Sequence, residues 1–349
     1  MIRYLTKRLL YGILVMMGVV TMVFLLFQGF ADPSRLVMGQ RADAGTQENI
    51  RKELYLDQPR WKQFIHYVND ISPVAIHSSN EIQQKKLKGF FLGGKYALAF
   101  KVPYLRRSYQ TKKEVWDTLM DALPGTILLA LAAMLIAIFA GIPLGVLAAV
   151  KKNTWMDTGA IFTSVLGISA PSFFMGIVIA YVFGFLLHDF TGLHMIGSLY
   201  DPEPFRERSI QLQNLILPAI TLGIRPLAMI TQLTRSAMLD VLNQDYIRTA
   251  YAKGLSKQRI IWKHALRNAL NPVITAITGW FAELLAGAFF VEYIFGWKGI
   301  GKVTVDALED LDFPIVMGSV LISSFFFIIV NLLADILYGV IDPRVRLNN

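Results

Sequence analysis

Four uninterrupted apolar blocks limit what this chain can fold into: Leu9–Ala31, Ala122–Val150, Thr158–Leu187 and Phe313–Ala334 contain no charged residue. A helix needs roughly 20 apolar residues to cross the hydrocarbon of a bilayer, where each backbone N–H and C=O must find a partner inside the protein. Two further blocks carry one charge each, Ser209–Thr234 with Arg225 and Asn268–Val291 with Glu283. Together they predict an all-α polytopic membrane protein of six transmembrane helices. At 54% hydrophobic and 17% charged, the chain lies outside the soluble range. The first block follows a basic MIRYLTKR start, yet its apolar core is too long for a signal peptide and no A-x-A pattern follows, so it is expected to remain as the first helix.

The charge pattern predicts the orientation. An even number of spans puts both termini on one side. If that side is the cytoplasm, the short inner segments hold Arg3, Lys7 and Arg8, Lys151 and Lys152, a long basic stretch near Asp245–Pro272, and Arg344 and Arg346. The short outer loops are richer in acids, with Asp189, Asp201, Glu203 and Glu207 in one and Asp306, Glu309, Asp310 and Asp312 in the other. Basic short loops face inward, which also accounts for the net charge of +9 without nucleic acid. The expected organisation is a first helix over 1–31, an extracytoplasmic loop or cap over 32–117, a five-helix core over 118–341 holding a cytoplasmic loop at 243–271, and a cytoplasmic tail over 342–349.

Catalytic patterns are missing from the sequence. With no cysteine, disulfides, thiolate catalysis and Cys-ligated zinc are excluded. Five histidines form no H-E-x-x-H pair, and no G-x-S-x-G appears. His188 and His194 flank an outer loop, where interfacial histidines are commoner than a metal site. The run GWKGIGKV at Gly296–Val303 nearly spells a phosphate loop, but Val303 replaces the required hydroxyl, no strand precedes it, and it is expected outside. The chain is therefore expected to bind no cofactor, to hold no metal and to hydrolyse no ATP of its own.

Charges at membrane depth are costly and normally face a cavity or one another. Arg225, Glu283 and Asp335 are such charges. Arg225 and Glu283 could pair between helices, or line a polar pathway where the termini of a zwitterionic solute would meet opposite charge.

The stretch DYIRTAYAKGLSKQRIIWKHALRNALNP sets Arg248, Lys253, Lys257, Arg259, Lys263 and Arg267 against a single acid, Asp245. Good helix formers dominate it, and Gly254-Leu255-Ser256 reads as a helix stop followed by an N-cap. Ile260, Ile261, Ala265 and Leu266 recur at helical spacing. An amphipathic helix on anionic lipid, a nucleic-acid patch and a docking surface for a cytoplasmic protein all fit this composition. Its position between the fourth and fifth spans favours docking.

This stretch resembles the cytoplasmic coupling loop of ABC-importer permeases of the dipeptide/oligopeptide/nickel type. Arg248, Thr249 and Ala250 occupy the E-A-A positions of that signature, Gly254 its glycine and Leu266 its leucine, while Arg267 stands at the proline and Pro272 follows later. The runs LPAITL, LTRSAML, GIPLGVLAAV, APSFFMG, VEYIFGWKGIG and DILYGVIDPRVR are similar to the same family, and LDQPRWKQFIHYV and SYQTKKEVWDTL near the start match it more loosely, so the likeness spans almost the whole chain. Arg225, Glu283 and a segment between about 70 and 107 depart from the family pattern. The resemblance implies a type I importer fold in the bacterial inner membrane, with Asp245, Arg248, Thr249, Ala250, Gly254, Arg259 and Leu266 in an ATPase-coupling loop. It also implies a second, similar permease, two ABC ATPase subunits that use ATP and magnesium, and an extracytoplasmic peptide-binding protein; membrane lipid surrounds the spans. Nickel or another small solute is the alternative cargo, and a scaffold or signalling protein with a lipid-binding basic loop the alternative class.

Overall fold

The structure, a computed structural model, describes residues 2–29, 55, 57–200 and 210–341. It divides into two compact units, one of Met1–Leu9, Ala122–Lys302 and Phe325–Asn349, the other of Leu10–Asp121 and Val303–Ser324. The first apolar block forms α1, Ile2–Gly29. Residues 201–209, the tail 342–349 and most of 32–56 lie outside the described residues.

The segment after α1 is not all helical, which corrects the all-α expectation. α2 (Arg60–Ile71), β1 (Val74–Ser78), α3 (Ser79–Lys85), β2 (Gly89–Gly93) and β3 (Tyr96–Lys101) build a small α+β layer. The antiparallel sheet has the order β1-β3-β2, with Phe100 opposite Val74 on one side and Phe90 on the other. Gly93 makes the hairpin possible, because it takes a φ of 128° that side chains avoid. A capping box starts α3: the Ser78 hydroxyl accepts from the Glu81 amide, and the Glu81 carboxylate accepts from the Ser78 amide.

One face of this sheet buries Ala75, His77, Ala97, Ala99 and Lys101. There the Lys85 ammonium pairs with the Asp70 carboxylate, and the Lys101 ammonium donates to the Asp70 carbonyl. Burial pushes the Lys101 amine down to about 8. The other face leaves Ile76, Phe90, Leu92, Tyr96 and Phe100 exposed. In the same unit the Asp312 carboxylate accepts from the Ser108 hydroxyl and from the Tyr109 amide at 2.9 Å.

The remaining elements are helices: α4 (Val115–Val150), α5 (Trp155–Ser169), α6 (Ser172–Tyr181), α7 (Gln213–Leu242), α8 (Asp245–Ala252), α9 (Leu266–Gly287), α10 (Phe289–Ile294), α11 (Ile300–Glu309) and α12 (Phe313–Ile341). Among the described residues, four helices are long and apolar enough to cross a membrane: α1, α4, α7 and α12.

The block Thr158–Leu187, expected as one span, is broken. α5 and the helical stretch that continues α6 to Leu186 meet at a 109° bend, and counting that pair as one span gives five. Pro171 causes the break. It has no N–H to give α5, and its ring drives Ala170 out of the helical region to φ −74°, ψ 130°. α9 lies in the block expected as the fifth crossing and, over its described residues, falls short of the same apolarity. Asn268, Asn271, Thr275, Thr278 and Glu283 dilute it.

α4, α6, α7, α9 and α10 share a core that includes Leu129, Ala133, Ile179, Leu217, Ile230, Val273 and Trp297. Backbones approach closely within it. A Cβ on Gly223 of α7 would lie 2.8 Å from the Ala133 carbonyl of α4, so a small residue is what lets these two apolar helices meet.

Candidate functional site

The basic stretch folds as a short helix against the ends of longer ones. α8 buries Ile247 and Ala250, which share a face at i, i+3. They pack with Val146 and Ala149 of α4, Met238 of α7, and Ile260, Ile261, Ala265 and Ala269 that follow. Asp245, Arg248, Thr249, Lys253, Gly254 and Arg259 are exposed, while Leu266 is half-buried against the cluster. Arg248 reaches the Asp245 carboxylate at 3.3 Å, and the Thr249 hydroxyl donates to the Asp245 carbonyl at 3.0 Å. Both side chains of that ion pair stay largely in solvent, so it holds little energy.

Gly254 ends α8 at φ 74°. Its amide donates to the Tyr251 carbonyl at 2.9 Å, and the Leu255 amide donates to the Ala250 carbonyl at 3.3 Å, the paired bonds of a Schellman motif. No atom lies within 4 Å of a Cβ built on Gly254, so only the backbone angle demands glycine there. Ser256 occupies the N-cap position before Lys257, but its hydroxyl makes no capping bond. The second helix is not separate, as expected from Gly254 and Ser256: a turn at Lys257–Arg259 and a wider turn at Ile260–Ala265 run directly into α9. Sequence reasoning overlooked the aromatic residues here. Tyr246, Tyr251 and Trp262 are exposed, and the Tyr246 hydroxyl accepts from Asn268 at 2.7 Å, tying α8 to α9.

A second polar link lies in the same unit. The Arg235 guanidinium of α7 forks onto the Asp157 carboxylate in the first turn of α5, its Nη2 at 2.8 Å, and Asp157 also accepts from the Asn153 amide at 2.9 Å. Asp157 is 3% exposed, so this pair is partly desolvated and geometrically specific. Lys151 and Lys152 beside it carried the orientation argument, and this single acid passed unremarked.

Arg225 and Glu283 both line one depression, together with Ala170, Ser172, Thr221 and Trp280. Among the described residues no ion pair joins them; the Arg225 guanidinium instead lies 5.6 Å from the centre of the Trp280 ring. Asp335, the third charge singled out at membrane depth, pairs with Arg8 of α1 at 3.1 Å.

The GWKGIGKV run has its own occupant. Glu292 of α10 is fully buried, and its Oε2 accepts from the Gly301 amide at 2.7 Å and the Lys302 amide at 3.2 Å, the first amides of α11. The amides that a phosphate would need are thus taken by a carboxylate of this chain. Thr126 joins the network, accepting from the Ile300 amide at 2.9 Å, while Trp297 donates to the Gly125 carbonyl at 2.9 Å. Burial pushes the Glu292 carboxyl up to about 7, against the hydrogen bonds from Thr126, Lys302 and Gly301. His188 and His194 lie side by side, ring centres 5.3 Å apart, and among the described residues no group of three side chains is placed to hold a metal.

Residues 141–347 match the family described as "Binding-protein-dependent transport system inner membrane component", and residues 1–82 match its N-terminal counterpart. Among relatives, the chain is 36% identical over 363 residues to the di/tripeptide transport system permease protein DppB of Pseudomonas aeruginosa, covering 99% of each. It is 34% identical to the glutathione transport system permease protein GsiC of Escherichia coli K12, and 34% to the dipeptide transport system permease protein DppB of the same strain, again over 99% of each chain. Among solved structures, the MetNI methionine ABC transporter in inward-facing conformations aligns with 65% of this chain at 15% identity and a TM-score of 0.49. On the family match and the full-length identities, the chain belongs to the inner membrane components of binding-protein-dependent transport systems.

Proposed function

We propose that this chain is a permease subunit of an ATP-driven peptide importer, and that α8 is the element through which ATPase subunits drive it. The observation that carries this reading is the two-faced construction of α8. Its inner side is fixed by Ile247 and Ala250, its outer side offers Tyr246, Arg248 and Tyr251, and Lys253, Arg259 and Trp262 stand exposed on the turns that follow. Exposed arginine and aromatic residues on a short rigid element suit a protein interface. The peptide relatives supply the cargo class.

In this reading α9 is the fifth of six crossings, both termini lie in the cytoplasm, and Asp245–Leu266 faces inward. A second, similar permease completes the pathway, and two ABC ATPases bind ATP and magnesium. An extracytoplasmic binding protein delivers peptide. Closure of the ATPases would push α8, and the buried cluster would pass that displacement to α4 and α7 as a rigid-body rotation.

A single substitution tests this. In cells carrying the complete transporter, Gly254→Asp should leave membrane insertion intact and reduce peptide uptake about tenfold or more, because a left-handed backbone angle is costly for a side chain. ATP hydrolysis should continue without transport. Normal uptake by that variant would remove α8 from the coupling role. Salt-sensitive binding of the segment to anionic vesicles, with no ATPase recovered on it, would favour the lipid-scaffold reading instead.

A further inference from the structure

We infer that the depression at the break between α5 and α6 is a solute subsite that holds a short peptide by its two free termini. Arg225 would take the α-carboxylate, and Glu283 the α-ammonium. The inference rests on the importer reading and adds the place and chemistry of recognition to it.

Three independent features converge there. The first is the break itself. Irregular backbone at membrane depth is tolerated where protein or a water-filled cavity covers it, and discontinuous helices commonly border transporter substrate sites. The 109° bend at Ala170–Pro171 puts Ala170 and Ser172 on the wall of the depression. The second is charge. Arg225 sits near the middle of α7 and Glu283 within α9, both exposed, and no ion pair neutralises either among the described residues. Two opposite charges lining one small depression would be expected to pair if their only task were structural.

The third feature is spacing. Trp280 and Glu283 are three residues apart and share one face of α9, so Glu283 lies about one helical turn, roughly 5 Å, along from the ring that carries Arg225. Two extended peptide residues span at most about 7 Å. A dipeptide with both ends unblocked offers an opposite charge to each of the two, whereas an amidated or N-acylated peptide leaves one of them unanswered. The Trp280 face adds a stacking surface that tolerates different side chains, as a carrier of mixed peptides requires. Thr221, whose hydroxyl donates to the Leu217 carbonyl at 2.9 Å, offers its oxygen as a further acceptor.

The sequence contains no cysteine, so a reporter thiol on this chain stands alone. Ser172→Cys in the complete transporter, supplied with its binding protein and ATP, would be labelled with a small charged thiosulfonate reagent. Dialanine, dialanine amide and N-acetyl-dialanine are the probes, and dialanine uptake is measured alongside. The inference expects dialanine to slow labelling, with both blocked forms about tenfold less effective. Arg225→Gln should abolish the preference for the acid over the amide, while Arg225→Lys keeps part of it. Glu283→Gln should abolish the preference for the free amine.

Labelling unaffected by dialanine in cells that still import it would overturn the subsite and leave the importer reading standing. A thiol that no aqueous reagent reaches would overturn it too. If the unsubstituted transporter imports none of the three, the peptide-importer reading itself fails, a result that the uptake arm separates from the others.

Discussion

Single residues in this chain do work that their neighbours in sequence do not advertise. Glu292 is held by the first amides of α11 and by Thr126, and its remaining oxygen Oε1 has no partner. A carboxyl whose folded pKa stands at about 7, above its ordinary value, binds more protons in the folded state between roughly pH 4.5 and 7. Its contribution to stability is thus fully present below that window and lost as pH rises through 7. Thermal unfolding of the purified transporter should show Glu292→Gln gaining on the unsubstituted protein from pH 5 to pH 8, and a pH-independent difference would contradict the buried protonated acid. Asp157 and Arg235 allow a second test. Either Asp157→Asn or Arg235→Gln should cost about 2 kcal/mol, by loss of charge-assisted hydrogen bonds, and the exchanged pair Asp157→Arg with Arg235→Asp should recover part of it. The sequence set Arg235 and Glu292 inside family runs, LTRSAML and VEYIFGWKGIG, but showed no partner for them or for Asp157. A lone acid at the edge of an apolar block looks like a solvated loop charge, and only the fold reveals which amides or guanidinium come to meet it.

At the scale of elements, the basic segment Asp245–Pro272 was the most legible part of the chain. Charges clustered in an oily sequence, helix formers and a glycine stop all point the same way, and α8 ends at Gly254 as that pattern predicts. Its depth of anchoring was less legible, because Ala250 and Ala265 look neutral until the methionine and valine beneath them are seen. Ile247→Ala should remove about 3 kcal/mol of this docking. Hydrogen exchange would register it as faster exchange across 245–252 with little change in α12. The sheet after α1 escaped the sequence for a clear reason. In Tyr96–Phe100 the buried and exposed positions are both apolar, so strand alternation is hidden, and only Gly93-Gly94 hinted at a hairpin. The break at Pro171 was half legible: a proline inside a span signals a bend, but composition declared one long span, and hydrophobicity says nothing about direction.

For the whole molecule, family membership was written most clearly over residues 141–346, in motifs from GIPLGVLAAV to DILYGVIDPRVR, and the matches extend over 99% of the chain. Span count was harder to read, since α9 is amphipathic enough to blur the line between a crossing helix and a buried one. Such a helix suits a wall between lipid and a polar pathway. The account as a whole requires that the loop between α7 and α9 meets a motor in the cytoplasm. Because the sequence contains no cysteine, Lys253→Cys at the exposed end of α8 gives a single reactive site on this chain. In membranes containing the assembled transporter, a short bifunctional maleimide should join this residue to an ATPase subunit, and an impermeant thiol reagent applied from outside should not reach it. Labelling from the exterior, or a cysteine that crosslinks to no ATPase while the complex is intact, would contradict the account.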